Sequence, residues 1–191
     1  MHGTRTIPTR TPNAEMRSRE YFTETEIRLL MSTAVTGNNG ARDSAMILIG
    51  YRHGLRAAEL VALRWDQIDF EQRTVAIRRV KKGTPSTQPL QDDEIEALMA
   101  LNRSGRFVFL TKHGTTFTTD GFAKLVDRLG QAAGLPYKAH PHMLRHACGF
   151  ALANAGHDTR AIQGWLGHRD IRHTVTYTEL AAGRFADFWR T

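Results

Sequence analysis

The chain has 191 residues, with 26 Lys and Arg against 19 Asp and Glu, a formal charge of +7 and an isoelectric point near 10.1. That is the length of one domain, or one domain with an arm, able to bury roughly 70% of its unfolded surface and so to fold without a disulfide or metal staple. Hydrophobic residues at 41% and charged ones at 24% exclude a largely disordered chain. Cys148 is the single cysteine, which excludes an intrachain disulfide and a thiolate zinc cluster and fits a reducing, cytoplasmic setting. The first twenty residues have no apolar core and are not a signal peptide. No run approaches the ~18 apolar residues of a membrane span. The basic excess points to an anionic partner, nucleic acid first.

Residues 1–20 are expected to form a flexible basic arm, because Pro8, Pro12, Arg5, Arg10, Arg17 and Arg19 leave no apolar period. A plain tail and a contact to DNA phosphates are both open to it. Order is expected from Thr23. Thr23 and Glu26 make a capping box ahead of Ile27, Leu30, Met31 and Ala34 on one helical face, and Gly37-Asn-Asn-Gly40 stops the helix. A second helix is predicted from near Asp43 through Met46, Leu48 and Ile49 to Gly54, and a third follows directly with Leu60, Val61 and Leu63 inward. The period then changes: 74–80 alternates as a strand, 81–84 is a basic turn, and 86–90 returns antiparallel. Asp92, Asp93 and Glu94 suggest a magnesium site in isolation. Directly before the apolar helical run 95–101 they are better placed as a helix N-terminus. Phe107 to Leu110 is predicted as a short strand, and Thr119 as the cap of a helix burying Phe122, Leu125, Val126 and Leu129 and ended by Gly134 and Pro136. From Pro141 onward three helical pieces are separated by Gly156 and Gly167. No repeat, low-complexity block or linker divides the chain. The expectation is a mainly α (α+β) domain, helical with a small antiparallel sheet.

Chemistry concentrates near the end. Six of the nine histidines lie between His140 and His173, together with Arg145, Arg160, Arg169 and Arg172. On a helix starting at Pro141, His142, Arg145 and His146 project from one face. His142 and His146 have the spacing of a two-histidine zinc site, but Met143 stands where a general-base glutamate would, and Arg145 would set a fixed charge beside the metal. Taken alone, these side chains could also merely cap and pair. The third reading is a phosphate site: arginine offers a planar fork, and neutral histidine moves protons near pH 7. Arg56, at a helix start, could supply a second fork. His168 lies just beyond a helix end, and Tyr177 follows nine residues later. Tyrosine is a poor nucleophile at its ordinary pKa of about 10 and needs cationic neighbours and a proton acceptor; considered singly, Tyr177 would be a packing residue.

The combination is more specific than its parts. Gly54-Leu-Arg-Ala-Ala-Glu-Leu60, the hairpin lysines, His142-Met-Leu-Arg-His146, Leu166-Gly-His168 and Tyr177 occur in the order and spacing of the tyrosine recombinase (phage integrase) family. The resemblance spans roughly residues 21–190. It is closest to the fimbrial phase-variation recombinases, notably in the run His140 to Gly149 and in Ile171-Arg-His-Thr-Val175. The resemblance implies a site-specific DNA recombinase in which Tyr177 attacks a phosphodiester, giving a 3′-phosphotyrosine and a free 5′-hydroxyl. Arg56 and Arg145 would clamp the non-bridging oxygens, His142 would assist proton transfer at the nucleophile, and His168 would hydrogen-bond the phosphate. A hairpin lysine would protonate the departing oxygen: counting from Arg56, as in the fimbrial branch, selects Lys81, the assignment adopted, whereas aligning on Gly83 would select Lys82. Arg78, Arg79, Lys82, His140, Arg172 and His173 would contact DNA. Glu59 would hold an arginine in place, and His146 would support its neighbours.

By the same resemblance neither a metal nor ATP is needed, and no cofactor is expected. The substrate would be double-stranded DNA with inverted-repeat sites flanking a promoter element, acted on by a homotetramer aided by accessory DNA-bending proteins on the bacterial nucleoid. Residues 21–191 would be the catalytic domain, without a separate N-terminal DNA-clamping domain. Phe185, Phe188 and Trp189, spaced i, i+3, i+4, would pack on their own domain or on a neighbouring subunit. A non-catalytic DNA-binding transcriptional regulator on the same fold is the alternative, and a zinc hydrolase the third.

Overall fold

The structure, a computed structural model, describes residues 20–80, 83–179 and 181. The basic arm, Lys81, Lys82 and the aromatic stripe Phe185, Phe188 and Trp189 lie outside the described residues.

Helix α1 (Glu24–Val35) starts as the capping box requires: Glu26 N donates to Thr23 Oγ1 at 3.3 Å, and Thr23 N donates to Glu26 Oε2 at 2.7 Å. It buries Ile27, Leu30 and Ala34. The second helix, α2 (Gly40–Arg52), begins three residues before the Asp43 expected. Gly40 is its first residue rather than a stop, because the chain turns so tightly that a Cβ there would lie 2.3 Å from the Val35 carbonyl oxygen. A short α3 (Ala57–Val61) follows, then a 3₁₀ turn at Trp65–Gln67.

The sheet has three antiparallel strands in the order β1 (Ile68–Asp69), β2 (Thr74–Ile77), β3 (Ser86–Pro89). Val75 pairs with Gln88 and Ile77 with Ser86. The two-residue β1 was not legible in the sequence, being too short to show a period, and β2 is shorter than the predicted 74–80. Pairing stops after Ile77 because Arg79 turns into the domain instead of continuing the ladder. Helix α4 (Asp92–Met99) opens on Asp92, Asp93 and Glu94, so these carboxylates mark a helix start as predicted.

Residues 107–110 do not form the expected strand. Only single bridges occur there, Arg64 with Phe107 and Leu110 with Thr116. Val108 and Phe109 are both buried, so the segment threads the core instead of alternating across a sheet. Helix α5 (Thr119–Ala132) is capped one residue earlier than predicted, by Thr118 Oγ1 accepting from Gly121 N at 2.9 Å. Its buried face is Phe122, Leu125, Val126 and Leu129, each side chain worth roughly 1.5–3 kcal/mol of apolar burial.

Helices α6 (Pro141–Asn154), α7 (Thr159–Leu166) and α8 (Arg172–Glu179) complete the fold. Pro141 occupies the first turn of α6, where a missing N–H costs nothing. Asp158 Oδ1 caps α7 through Arg160 N and Ala161 N, and Gly167 ends it at φ 64°, the left-handed conformation that turns the chain towards His168. Most apolar residues form one core. Cys148, Ala153, Ile162, Leu166 and Tyr177 make a second, smaller one between α6, α7 and α8. Gln88 joins the hairpin to both regions: its amide nitrogen donates to Trp165 O at 2.7 Å, and its Oε1 lies 2.7 Å from buried His53 Nδ1. No helix among the described residues is long and apolar enough to cross a membrane.

Candidate active site

Arg56 is the N-cap of α3, and Glu59, three residues on, returns to it. Glu59 Oε2 accepts from Arg56 N at 3.0 Å and Oε1 from Arg56 Nη1 at 2.8 Å. The same carboxylate accepts from Arg79 Nη1 at 2.9 Å and from Val80 N at 3.1 Å. Burial alone would push the Glu59 carboxyl up, but these donors outweigh it and hold the group below the usual carboxylate range. Glu59 thus holds Arg56, as expected, while ordering the strand end that leads to the hairpin lysines. Its partner Arg79 corrects the sequence reading. The Arg79 side chain is 0% exposed and also donates to the carbonyls of His53 and Trp165, so it is committed inside the domain rather than presented as an exposed contact. Arg78, next to it, is exposed.

Arg145 is 1% exposed. Its Nη1 donates to Gly54 O and its Nη2 to Leu166 O at 2.8 Å, pinning the guanidinium between the residues before α3 and the end of α7. Burial, with the charges of Arg56 and Arg79, lowers its pKa to about 10, which leaves it cationic at neutral pH. A guanidinium has five N–H groups, and among the described residues two of them donate to these carbonyls.

A cleft of about 650 Å³ opens beside Arg56, lined also by Gly83, Arg160, His168, Arg169 and His173 among others. Asp170, also in the lining, is neutralised by Arg172, Nη2 to Oδ2 2.6 Å. The cleft therefore carries a strong positive field suited to a phosphate. Gly83 brings the hairpin into this lining, although Lys81 and Lys82 themselves lie outside the described residues. His168 Nδ1 lies 2.8 Å from Thr174 Oγ1, an interaction that fixes the ring. Burial, then Arg145 and Arg56, lowers the His168 pKa to about 3, so it is a neutral hydrogen-bonding ring. His173 is exposed, 6.0 Å from His168 centroid to centroid, and His140 is exposed at the N-cap of α6.

Tyr177 sits in α8 with its ring against α6. It is 3% exposed, meets Phe150 edge-on at 5.1 Å and stacks on His168 at 6.3 Å. Burial pushes its phenol up to about 12, against the opposing pull of Arg145 and Arg56. The side chain at its hydroxyl is His146, with Nδ1 2.9 Å from Oη. His142, the histidine expected to serve the nucleophile, is exposed and touches His146 edge-on at 4.3 Å. Burial and the neighbouring His146 and Arg145 lower its pKa to about 4. Sequence spacing put both histidines on one face of α6; the rotation of that face against α8 selects His146. Among the described residues no group of three His, Cys, Asp or Glu could hold a metal.

The ring of Tyr177 fits because residue 149 has no side chain. A Cβ on Gly149 would lie 2.6 Å from Tyr177 Cε2. Helix propensity by itself favours alanine by about 1 kcal/mol, but the overlap outweighs it, overpacking costing typically 1–3 kcal/mol. On the expectation that Tyr177 is the nucleophile of a DNA-acting enzyme, Gly149→Ala should fold and bind DNA while losing at least ~90% of covalent adduct, because the ring must leave its seat. Wild-type adduct yield on a nicked duplex would overturn this.

The phage integrase family model matches residues 20–184. The type 1 fimbriae regulatory protein FimB of Escherichia coli K12 is 42% identical over 184 residues, covering 92% of this chain and 92% of that protein. FimE of the same strain is 40% identical, covering 91% and 92%. The tyrosine recombinase XerD of Listeria innocua is 33% identical, covering 85% of this chain and 58% of that protein. Among solved structures, XerA recombinase superposes with a TM-score of 0.75 at 23% identity, over 95% of this chain and 69% of that one. The catalytic domain of bacteriophage HP1 integrase gives 0.67 at 19% identity, over 87% and 91%. At those identities the structural likeness is one of fold.

Proposed function

The chain belongs to the phage integrase family and is a site-specific DNA recombinase, and we propose that Tyr177 is its nucleophile and that the exchange inverts a DNA element. The observation that carries this reading is a buried tyrosine seated beside His146 and His168 and within the field of Arg145 and Arg56. A tyrosine used only for packing has no need of that surrounding.

In the proposed reaction the Tyr177 oxygen attacks phosphorus, the Oη–P bond forms and the P–O5′ bond breaks. The products are a 3′-phosphotyrosine and a 5′-hydroxyl. Arg56 and Arg145 face the charge that grows on the pentacoordinate phosphorus, and pre-set donors there lower the barrier without reorganising. His168 donates from Nε2 to a non-bridging oxygen, its Nδ1 being held by Thr174 Oγ1. Lys81, or Lys82 in its place, protonates the departing O5′. Arg78, His140, Arg172 and His173 are the proposed backbone contacts, with Arg79 withdrawn from that set. The proposed substrate is double-stranded DNA with inverted repeats, bound by four copies with accessory DNA-bending proteins in the bacterial cytoplasm, and residues 21–191 are the catalytic module.

The test is rearrangement. The binding sequence is first selected by the purified protein from a randomised duplex library. Two inverted copies of it are then placed around a promoter on a plasmid. Expression of the chain is expected to yield both orientations by amplification across the junctions, and direct copies are expected to yield excision. Tight, salt-sensitive binding with neither rearrangement nor adduct would instead assign the chain as a DNA-binding transcriptional regulator.

A further inference from the structure

We infer that His146, not His142, is the residue that takes the proton from Tyr177 during attack, a catalytic role for a histidine that the sequence assigned only to support. The inference rests on Tyr177 being the nucleophile.

The geometry is specific. Gly149 and His146 are three residues apart on α6, so both present to the same face of α8. Gly149 makes room for the tyrosine ring, and His146 meets the hydroxyl at the ring's end, Nδ1 to Oη 2.9 Å. A proton acceptor must lie within about 2.6–3.2 Å of the proton it removes, and among the described residues only His146 has a hydrogen bond to this oxygen. His142 reaches His146 and not the tyrosine.

The protonation states agree. Tyr177, pushed up to about 12, is a phenol at neutral pH and still carries the proton that has to leave. In the proposed arrangement Nδ1 of His146 is the acceptor, which places the ring proton on Nε2. Burial holds the His146 imidazole below its ordinary range, with Arg145 and His140 acting in the same direction and Glu20 against them. His142 and Arg145 face it from its own helix, His140 from the cap, Glu20 from the segment before α1, and Tyr177 from α8; Arg172 and His173 line the same recess of about 440 Å³. The ring is thus neutral and able to accept near pH 7.

The step balances. As Oη–P forms, the phenolic proton moves to His146 Nδ1 and makes an imidazolium. The P–O5′ bond breaks, and O5′ receives a proton from the hairpin lysine. On rejoining, the 5′-hydroxyl returns its proton to the lysine and attacks phosphorus, the Oη–P bond breaks, and the imidazolium restores the phenol.

His146→Asn separates holding the hydroxyl from taking its proton. The asparagine amide oxygen can accept the hydrogen bond but is not a base near pH 7. On a nicked duplex carrying the selected sequence, H146N is expected to bind within twofold of the parent and to melt alike. Adduct formation in a single turnover should fall about 10²-fold at pH 7 and recover as pH rises towards 9. The unaltered chain should stay flat as pH falls through 6.5. In the free protein, imidazole nitrogen NMR should show His146 protonated at Nε2, with the Nδ1 signal moving in Tyr177→Phe. Adduct formation by H146N at the parental rate, or a ring protonated at Nδ1, overturns the inference. Failure of the unaltered chain to form any adduct would be failure of the recombinase reading, whereas the NMR tautomer judges the His146–Tyr177 bond without DNA.

Discussion

Tyr177→Phe should bind the selected duplex as tightly as the parent and leave no covalent adduct on it. The change removes one oxygen from a ring whose place is set by Gly149, Phe150 and His168, none of which depends on the hydroxyl. Its structural cost is the hydrogen bond to His146, net about 1 kcal/mol, small against the burial of the ring itself. Binding depends on arginines and the cleft field, which the substitution leaves alone. Covalent chemistry depends on the oxygen entirely, since the lost group is the proposed nucleophile. A nicked duplex traps the product because the short 5′ fragment diffuses away, so the phosphotyrosine accumulates and shifts the protein on a denaturing gel. A shifted band of parental intensity in Y177F would remove Tyr177 from the mechanism and the recombinase roles built around it.

The second large effect comes from comparing two arginines that the proposed chemistry uses alike and the fold uses differently. Arg145→Ala removes donors from the Gly54 and Leu166 carbonyls inside the domain. Hydrogen bonds from a charged donor contribute about 1.5–3 kcal/mol each, so the variant should lose roughly 3 kcal/mol or more, a drop of roughly 6–12 °C in Tm for a chain of this size. Arg56 keeps a side chain 28% exposed, and its partner Glu59 retains Arg79 and Val80. Arg56→Ala should therefore melt within a few degrees of the parent. Both should cleave at least about 10²–10³-fold more slowly, the cost of one lost donor to a developing oxyanion. Rates are to be measured below the melting range of R145A, with binding checked by gel shift. Parental cleavage by R56A would exclude it from the phosphate clamp. An R145A protein melting like the parent would show that the two carbonyls find other donors, contrary to the packing described.

The gap between Arg79 and Arg56 illustrates what a one-dimensional reading can reach. Both are basic residues near the site in sequence, and spacing alone allowed either to face a phosphate. Arg79 ends a strand whose ladder is about to break, and its guanidinium is drawn inward to Glu59, twenty residues earlier. Nothing local announces that pairing, because it depends on how the hairpin lies across the start of α3. The same holds for the segment 107–110: its apolar run suggested a strand, yet its backbone pairs only briefly, Val108 N donating to Leu63 O at 2.9 Å, while Val108 and Phe109 are both buried.

What the sequence determined by itself was whatever depends on residues a turn or two apart. The capping box at Thr23 and Glu26, the acidic start of α4, the apolar stripe of α5, the proline start of α6 and the glycine end of α7 are all short-range hydrogen-bond and steric requirements. So is the order of the motifs that marked the family. The tertiary structure alone decided which of the side chains sharing a helical face meets the Tyr177 hydroxyl. His142 and His146 are one turn apart and equivalent to any periodicity argument. The close approach of α8 over Gly149 brings Tyr177 onto His146 and leaves His142 to solvent, because the contact between two helices is set by their mutual packing and not by the period of either one.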